Sequence, residues 1–166
     1  MKQHASISVR AYMPCDIAAM TGIWNEVVRA GVAFPQVEEF SLSGAIGFFA
    51  AQSHCGVALD TQGCCIGLYI LHPNNVGRCG HICNASYAVS SHARGCGAGE
   101  ALVRDCIAQA RALGFRILQF NAVVHSNVPA RSLYEKIGFT ALGTIPGGFL
   151  MPDGHYEDIV PYYLAL

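Results

Sequence analysis

The residues best placed to do chemistry in this chain are Arg94, Gly95, Cys96, Gly97, Ala98 and Gly99, which stand where an apolar strand runs into a helix. Glycine reaches backbone angles closed to other residues, and with no side chain it lets a ligand approach the backbone N–H groups. A helix predicted over 100–113 adds unsatisfied first-turn donors and the positive end of its dipole at the same spot. Arg94 contributes a full positive charge beside them. The expected chemistry is capture of a phosphate-bearing ligand. Spacing separates the known phosphate designs. A Walker loop needs Lys and then Ser or Thr after its last glycine, but Gly99 is followed by Glu100 and Ala101. A dinucleotide fingerprint starting at Gly95 and Gly97 meets Glu100 where it needs a third glycine or alanine. What remains is Arg-x-x-Gly-x-Gly across Arg94, Gly97 and Gly99.

That run resembles the coenzyme A pyrophosphate loop of the GNAT superfamily of N-acetyltransferases. Downstream, Asn127 to Phe139 resembles the N-x-x-A-x-x-L-Y-x-K-x-G-F segment of the same superfamily. The resemblance covers most of residues 7–164. Its C-terminal stretches, Gly143 to Phe149 and Asp153 to Asp158, are similar to members of the phosphinothricin and amino-acid-analogue type. It implies an acetyl-CoA-dependent N-acetyltransferase that transfers directly to the primary amine of a small molecule. The pantetheine arm would lie along the strand end at Tyr87, Ala88 and Val89 as an added strand would, with the pyrophosphate on 94–99. Asn127 and Ala130 would face the cofactor, and Tyr134 would protonate the departing sulfur.

Each of these roles has a plainer competitor. Asn127 is a good helix N-cap. Tyr134 shares a helical face with Ala130, Leu133 and Ile137 and could belong to the core. Cys96 invites thiol chemistry but is read as filling a variable loop position, and Ser91 stands where the family often has proline. No carboxylate occurs in Ile82 to Val89, so Asn84 and Ser86 could at most hold a water that relays the proton. Glu157, Asp158, His155 and His125 remain open as bases. Phe34, Phe40, Ser86 and His155 are the substrate-side candidates. A non-catalytic acyl-CoA-binding regulatory module and a protein or peptide N-acetyltransferase stay as alternatives.

The elements that must position these residues read as a mixed sheet flanked by about four helices, α/β in class, with a parallel β-α-β unit at 82–124. Residues 6–12 alternate as a strand, and Ile17, Met20, Trp24, Val27 and Val28 recur at helical spacing until Gly31. Residues 31–42 form a loop and 43–52 a short helix. Strands at 56–59 and 64–71 make a hairpin, and Ile82–Val89 delivers the chain to the glycine turn. The helix over 100–113 has an apolar stripe of Leu102, Cys106, Ile107, Ala110 and Leu113. Ile117–Val124 is apolar enough for a central strand, a helix follows at 128–137, and final strands run over 139–145 and 156–164.

At 166 residues, a single domain spanning 1–166 is expected. Ten basic residues balance eleven acidic ones, a field too weak to argue for nucleic acid or an anionic membrane. No apolar leader or run long enough to span a bilayer is seen, so a cytoplasmic location is expected. With 52% apolar residues, part of the surface is expected to be covered in a homodimer. The eight cysteines are scattered without zinc or redox spacing and are read as reduced and mostly buried, and the seven histidines show no metal-site spacing, so no metal is expected.

Overall fold

The computed structural model describes residues 7–166, and Ser6, where the first strand was expected to begin, lies outside them. In chain order the elements are β1 (Ser8–Ala11), α1 (Ile17–Ala30), α2 (Leu42–Ala50), β2 (His54–Leu59), β3 (Cys65–Pro73) and β4 (Ile82–Val89). They continue with α3 (Ala98–Ala112), β5 (Ile117–Val124), α4 (Val128–Ile137), β6 (Thr140–Ala141), β7 (Ile145–Leu150) and β8 (Tyr156–Ala165). One sheet takes the order β1-β2-β3-β4-β5-β8-β6, with β7 also paired to β8. Every pairing is antiparallel except β4 with β5, the parallel unit expected at 82–124. Among the described residues no helix is long and apolar enough to cross a membrane.

Local chemistry explains most element ends. Pro14 opens a 3-10 turn over 14–16 in which Asp16 accepts from the Met13 N–H at 2.7 Å and from Arg10. α1 then runs until Gly31, whose φ of 65° closes it in the left-handed conformation that glycine takes without strain. The layer on one face of the sheet is built around Trp24, which is fully buried against Leu68 and Ile70 of β3 and Ala88 of β4. Phe34, Phe40, Phe48 and Phe49 surround its indole with ring centroids 4.4 to 6.2 Å away. On the other face α3 packs Leu102, Cys106 and Ala110 against Tyr69, Leu71, Cys83 and Leu118.

Four expectations need correction. α3 starts at Ala98, two residues early, and Leu113 is 49% exposed because the helix has ended before it. The strand expected over 139–145 pairs only at Thr140 and Ala141; the chain then leaves the sheet at 142–144 and returns as β7, an edge strand the apolar pattern did not announce. Gly143, at φ 133°, marks that break. Of the eight free cysteines, Cys55, Cys83 and Cys106 are buried but Cys15, Cys64 and Cys79 are exposed.

Candidate active site

The sheet opens at its centre. β4 and β5 pair only at Ile82 with Ile117 and Cys83 with Leu118, and beyond that point they part. On its other side β4 stays bonded to β3 from Cys83 through Val89. From Asn84 onward, therefore, the β5-facing edge of β4 offers backbone donors and acceptors with no strand to take them, an arrangement that calls for an extended partner. The gap is a cleft of about 1010 Å³, walled by Asn84, Ser86, Tyr87 and Val89 on one side and Phe120, Ala122 and Val124 on the other.

One end of the cleft is the glycine turn. Arg94, Gly95, Gly97 and Gly99 all line it. Gly95 and Gly97 take φ of 78° and 95°, angles that side chains resist, and a Cβ on either would meet nothing closer than Ile7 at 4.0 Å. The space beside them is open to a ligand, and what forbids a side chain is the backbone angle alone. Gly99 differs from the expectation. It sits inside the first turn of α3, needs no special angle, and packs near Leu133. Arg94 is exposed at the rim and has no ion pair among the described residues. Glu100 also reaches the cleft, but its carboxylate is held by Lys136 at 2.7 Å and Arg104 at 2.8 Å, which keep its pKa below the ordinary range.

Ser91, the departure from proline noted above, has a structural consequence. Its backbone N–H donates to Glu26 Oε1 of α1 at 2.9 Å, a bond proline could not make, so the turn is tied to the opposite layer. Ser91, through its side chain first and this backbone bond second, with Arg94 and His92 nearby, holds the Glu26 carboxyl below its ordinary pKa.

Across the gap, α4 brings Asn127, Ala130, Leu133 and Tyr134 to the same cleft. Asn127 caps the helix, its side chain accepting from the Ala130 N–H at 3.4 Å while the residue still lines the cleft. Tyr134 has its ring among Phe120, Phe139, Tyr162 and Tyr87, at centroid distances of 4.6 to 6.3 Å. Its hydroxyl has no protein hydrogen bond among the described residues, and burial raises its pKa well above that of a free phenol. Such a phenol stays protonated at neutral pH. The Tyr87 hydroxyl is buried without a hydrogen-bond partner among the described residues, and burial raises its pKa also.

The side chains of other candidates point elsewhere. Ala88 is 2% exposed and turns to the Trp24 layer, since side chains alternate along a strand. Ala98 is 1% exposed in the α3 core, and Cys96 packs against the same cluster with its thiol donating to the Ala93 carbonyl. Phe34 lines the cleft, whereas Phe40 does not: its ring stacks with Phe48 at 4.6 Å and its backbone is clamped by both ends of the Asn25 amide. His155 stands on the exposed β7–β8 hairpin between Asp153 and Glu157, which raise its pKa, and it too is absent from the walls. Of the other possible bases, Asp158 accepts from the Gly147 N–H and His125 lies beside Arg131. The hairpin tip packs against the end of α1, where a Cβ on Gly31 would lie 2.8 Å from Pro152 Cγ. The sequence reading missed Asn121, a lining residue whose amide donates to Asn74 at 2.7 Å, while Asn84 donates to the same Asn74 oxygen at 3.4 Å. Nothing local marked it, because the three amides come from two strands and a loop.

The sequence model of the Acetyltransferase (GNAT) family matches residues 21–139. The chain is 34% identical over 106 residues to N-acetyltransferase aca1 of Schizosaccharomyces pombe, which is 63% of this chain and 51% of that protein. It thus spans about half the length of that curated relative. Among solved structures, a GCN5-related N-acetyltransferase from Kribbella flavida superposes with a TM-score of 0.89 at 33% identity, covering 96% of this chain and 98% of that one. A phosphinothricin acetyltransferase from Sinorhizobium meliloti, solved with AcCoA, shares the fold at a TM-score of 0.89 and 24% identity, over 96% of this chain and 88% of that one.

Proposed function

Because this chain belongs to the acetyltransferase (GNAT) family, we propose that it transfers the acetyl group of acetyl-CoA to the primary amine of a small molecule, directly and within one ternary complex. The observation that carries the reading is the parting of β4 from β5, which leaves a strand edge leading to a glycine turn. An extended pantetheine arm satisfies the free groups of β4 from Asn84 to Val89 as an added strand. The N–H groups at Gly95, Gly97 and the start of α3, with Arg94, hold the pyrophosphate. Asn127 keeps its cap and offers its remaining amide groups to the arm.

Tyr134 is the acid. Tyr134 lines the cleft and its hydroxyl has no protein partner among the described residues, which fits a group reserved for the departing thiolate. Asn84 holds the water that passes on the amine's proton. The lack of a carboxylate on β4 is what a non-catalytic acyl-CoA-binding module would also have, but such a module has no use for an unpartnered phenol at this position. The exposed apolar residues Leu142, Ile145, Leu150 and Tyr156 around edge strand β7 support a homodimer. The protein works in the cytoplasm, where acetyl-CoA and small amines meet.

The direct test is a thermal melt with and without acetyl-CoA. At a hundred times the dissociation constant the ligand should add about 2.7 kcal/mol of stability. A melt unmoved by saturating acetyl-CoA or CoA would end the proposal, and CoA release that needs no amine would not count in its favour.

A further inference from the structure

The backbone of the glycine turn is tied at its two ends. At the far end the chain enters α3, where the Gly97 carbonyl accepts from the Ala101 N–H at 3.1 Å. At the near end the Ser90 N–H donates to the Ile66 carbonyl beside β4 at 2.9 Å, and the Ser91 N–H donates to Glu26 Oε1 of α1 at 2.9 Å. The first bond ties the turn to the sheet and the second to the helix lying over it. Between these ends, among the described residues, the N–H groups of Arg94, Gly95, Cys96 and Gly97 find no protein acceptor. Glu26 is the member that calls for a reason. A carboxylate close to Arg94 and His92 competes for the cations that a pyrophosphate would use and repels the pyrophosphate itself. Ser90 has ψ 140°, the extended geometry taken by a residue before proline, and Ser91 opens a 3-10 turn over Ser91–Ala93. A proline at 91 would fix φ by its ring and need no acceptor. Serine leaves that torsion free and brings an N–H, which Glu26 takes.

We infer that Glu26 is a positioning residue for the pyrophosphate turn, whose bond to Ser91 fixes the start of the turn from outside as a proline at 91 would from within. The inference rests on the acetyl-transfer reading and goes beyond it. Glu26 acts on the cofactor only through Ser91, and its two properties work in opposite senses. As a hydrogen-bond acceptor it holds the backbone that aims Arg94 and the N–H groups of 94–97. As a charge it opposes the phosphates. Glutamine at this position would keep the acceptor oxygen and lose the charge, whereas alanine would lose both. Glu26 also precedes Val27, which lines the cleft, so the helix that anchors the turn is the one that supplies a wall.

The test measures the affinity of the full chain for acetyl-CoA by titration calorimetry. Glu26 is half-buried on a helix, and alanine is the best helix former, so Glu26→Ala should fold and melt as the wild type does. Its acetyl-CoA affinity should fall about tenfold, the scale of one hydrogen bond to a charged acceptor. Glu26→Gln should bind within about threefold of the wild type, since the bond is kept and the repulsion is gone. Pantetheine, which ends before the pyrophosphate, should bind all three proteins alike in an NMR titration. In a Ser91→Pro background Glu26→Ala should cost nothing further, because the donor is gone and the ring fixes φ. Unchanged acetyl-CoA affinity in Glu26→Ala, Glu26→Gln as weak as Glu26→Ala, a loss shared by pantetheine, or an undiminished loss in the Ser91→Pro background overturns the inference and leaves acetyl transfer standing. Hydrogen exchange at the Ser91 amide of the ligand-free protein reads the bond itself, slow in the wild type and fast in Glu26→Ala. Equal rates overturn the inference whether or not acetyl-CoA binds. A wild-type chain that binds no acetyl-CoA overturns the earlier reading, and this one with it.

Discussion

Two walls of the cleft are made differently. The phosphate end comes from one continuous run, β4, the turn and α3, and its working atoms are mostly backbone N–H groups. Another wall comes from the C-terminal part of α1 and the loop after it, with the tip of the β7–β8 hairpin against Gly31, and its surface is side chain. The family match over residues 21–139 takes in both of these stretches and stops before β7 and β8 begin. Backbone chemistry must be written in glycines at fixed spacing, because few other residues take those angles. A side-chain wall can be made from many residue types, and no spacing announces it.

Substitutions can break or sharpen this contrast. The largest effect should come from Tyr134→Phe, which keeps the ring among Phe120, Phe139 and Tyr162 and removes only the proton donor. Turnover should fall on the order of 10²–10⁴-fold with acetyl-CoA affinity unchanged. A raised pKa means the wild-type acid stays protonated above the ordinary phenol range, so activity should not decline until pH passes about 10. Early melting at full turnover would instead make Tyr134 a core residue and leave the cleft without a chemical centre.

Gly97→Glu attacks the backbone-made end. A side chain at φ 95° costs on the order of 1–2 kcal/mol before charge repulsion is added. Acetyl-CoA affinity should drop about tenfold or more by titration calorimetry. Unchanged affinity would show that the glycines serve only the turn. The smallest effect is expected from Phe40→Ala, which removes a half-buried ring from the Trp24 cluster. It should cost about 1–2 kcal/mol of stability and leave the acceptor KM as it was. A raised acceptor KM at unchanged stability would put Phe40 back among the walls.

The sequence made the parallel unit, the glycine turn, the Asn127 cap and Tyr134 legible, since each rests on a local pattern. Periodicity could not reveal that Gly99 is helical, because in Gly-Cys-Gly-Ala-Gly the point where the helix begins depends on which glycine takes the last positive φ. Nor could it find β7, whose burial pattern of one buried residue among six follows from lying at a sheet edge. Phe34 and Phe40 are the same residue type six positions apart. Both pack on Trp24 but only Phe34 also lines the cleft, and Phe40 is held by the Asn25 clamp, a contact across fifteen residues of sequence.

The two-residue ladder between β4 and β5 has a mechanical meaning. A sheet transmits force through its hydrogen bonds, and here the seam between the strands before α3 and those after it is nearly unstitched. A pantetheine arm lying in that seam would be a structural member as much as a substrate, mending the sheet along the rest of β4. How stiffly the two halves of the molecule move together would then be set by the supply of acetyl-CoA around it, so that the protein is most rigid when it has something to transfer.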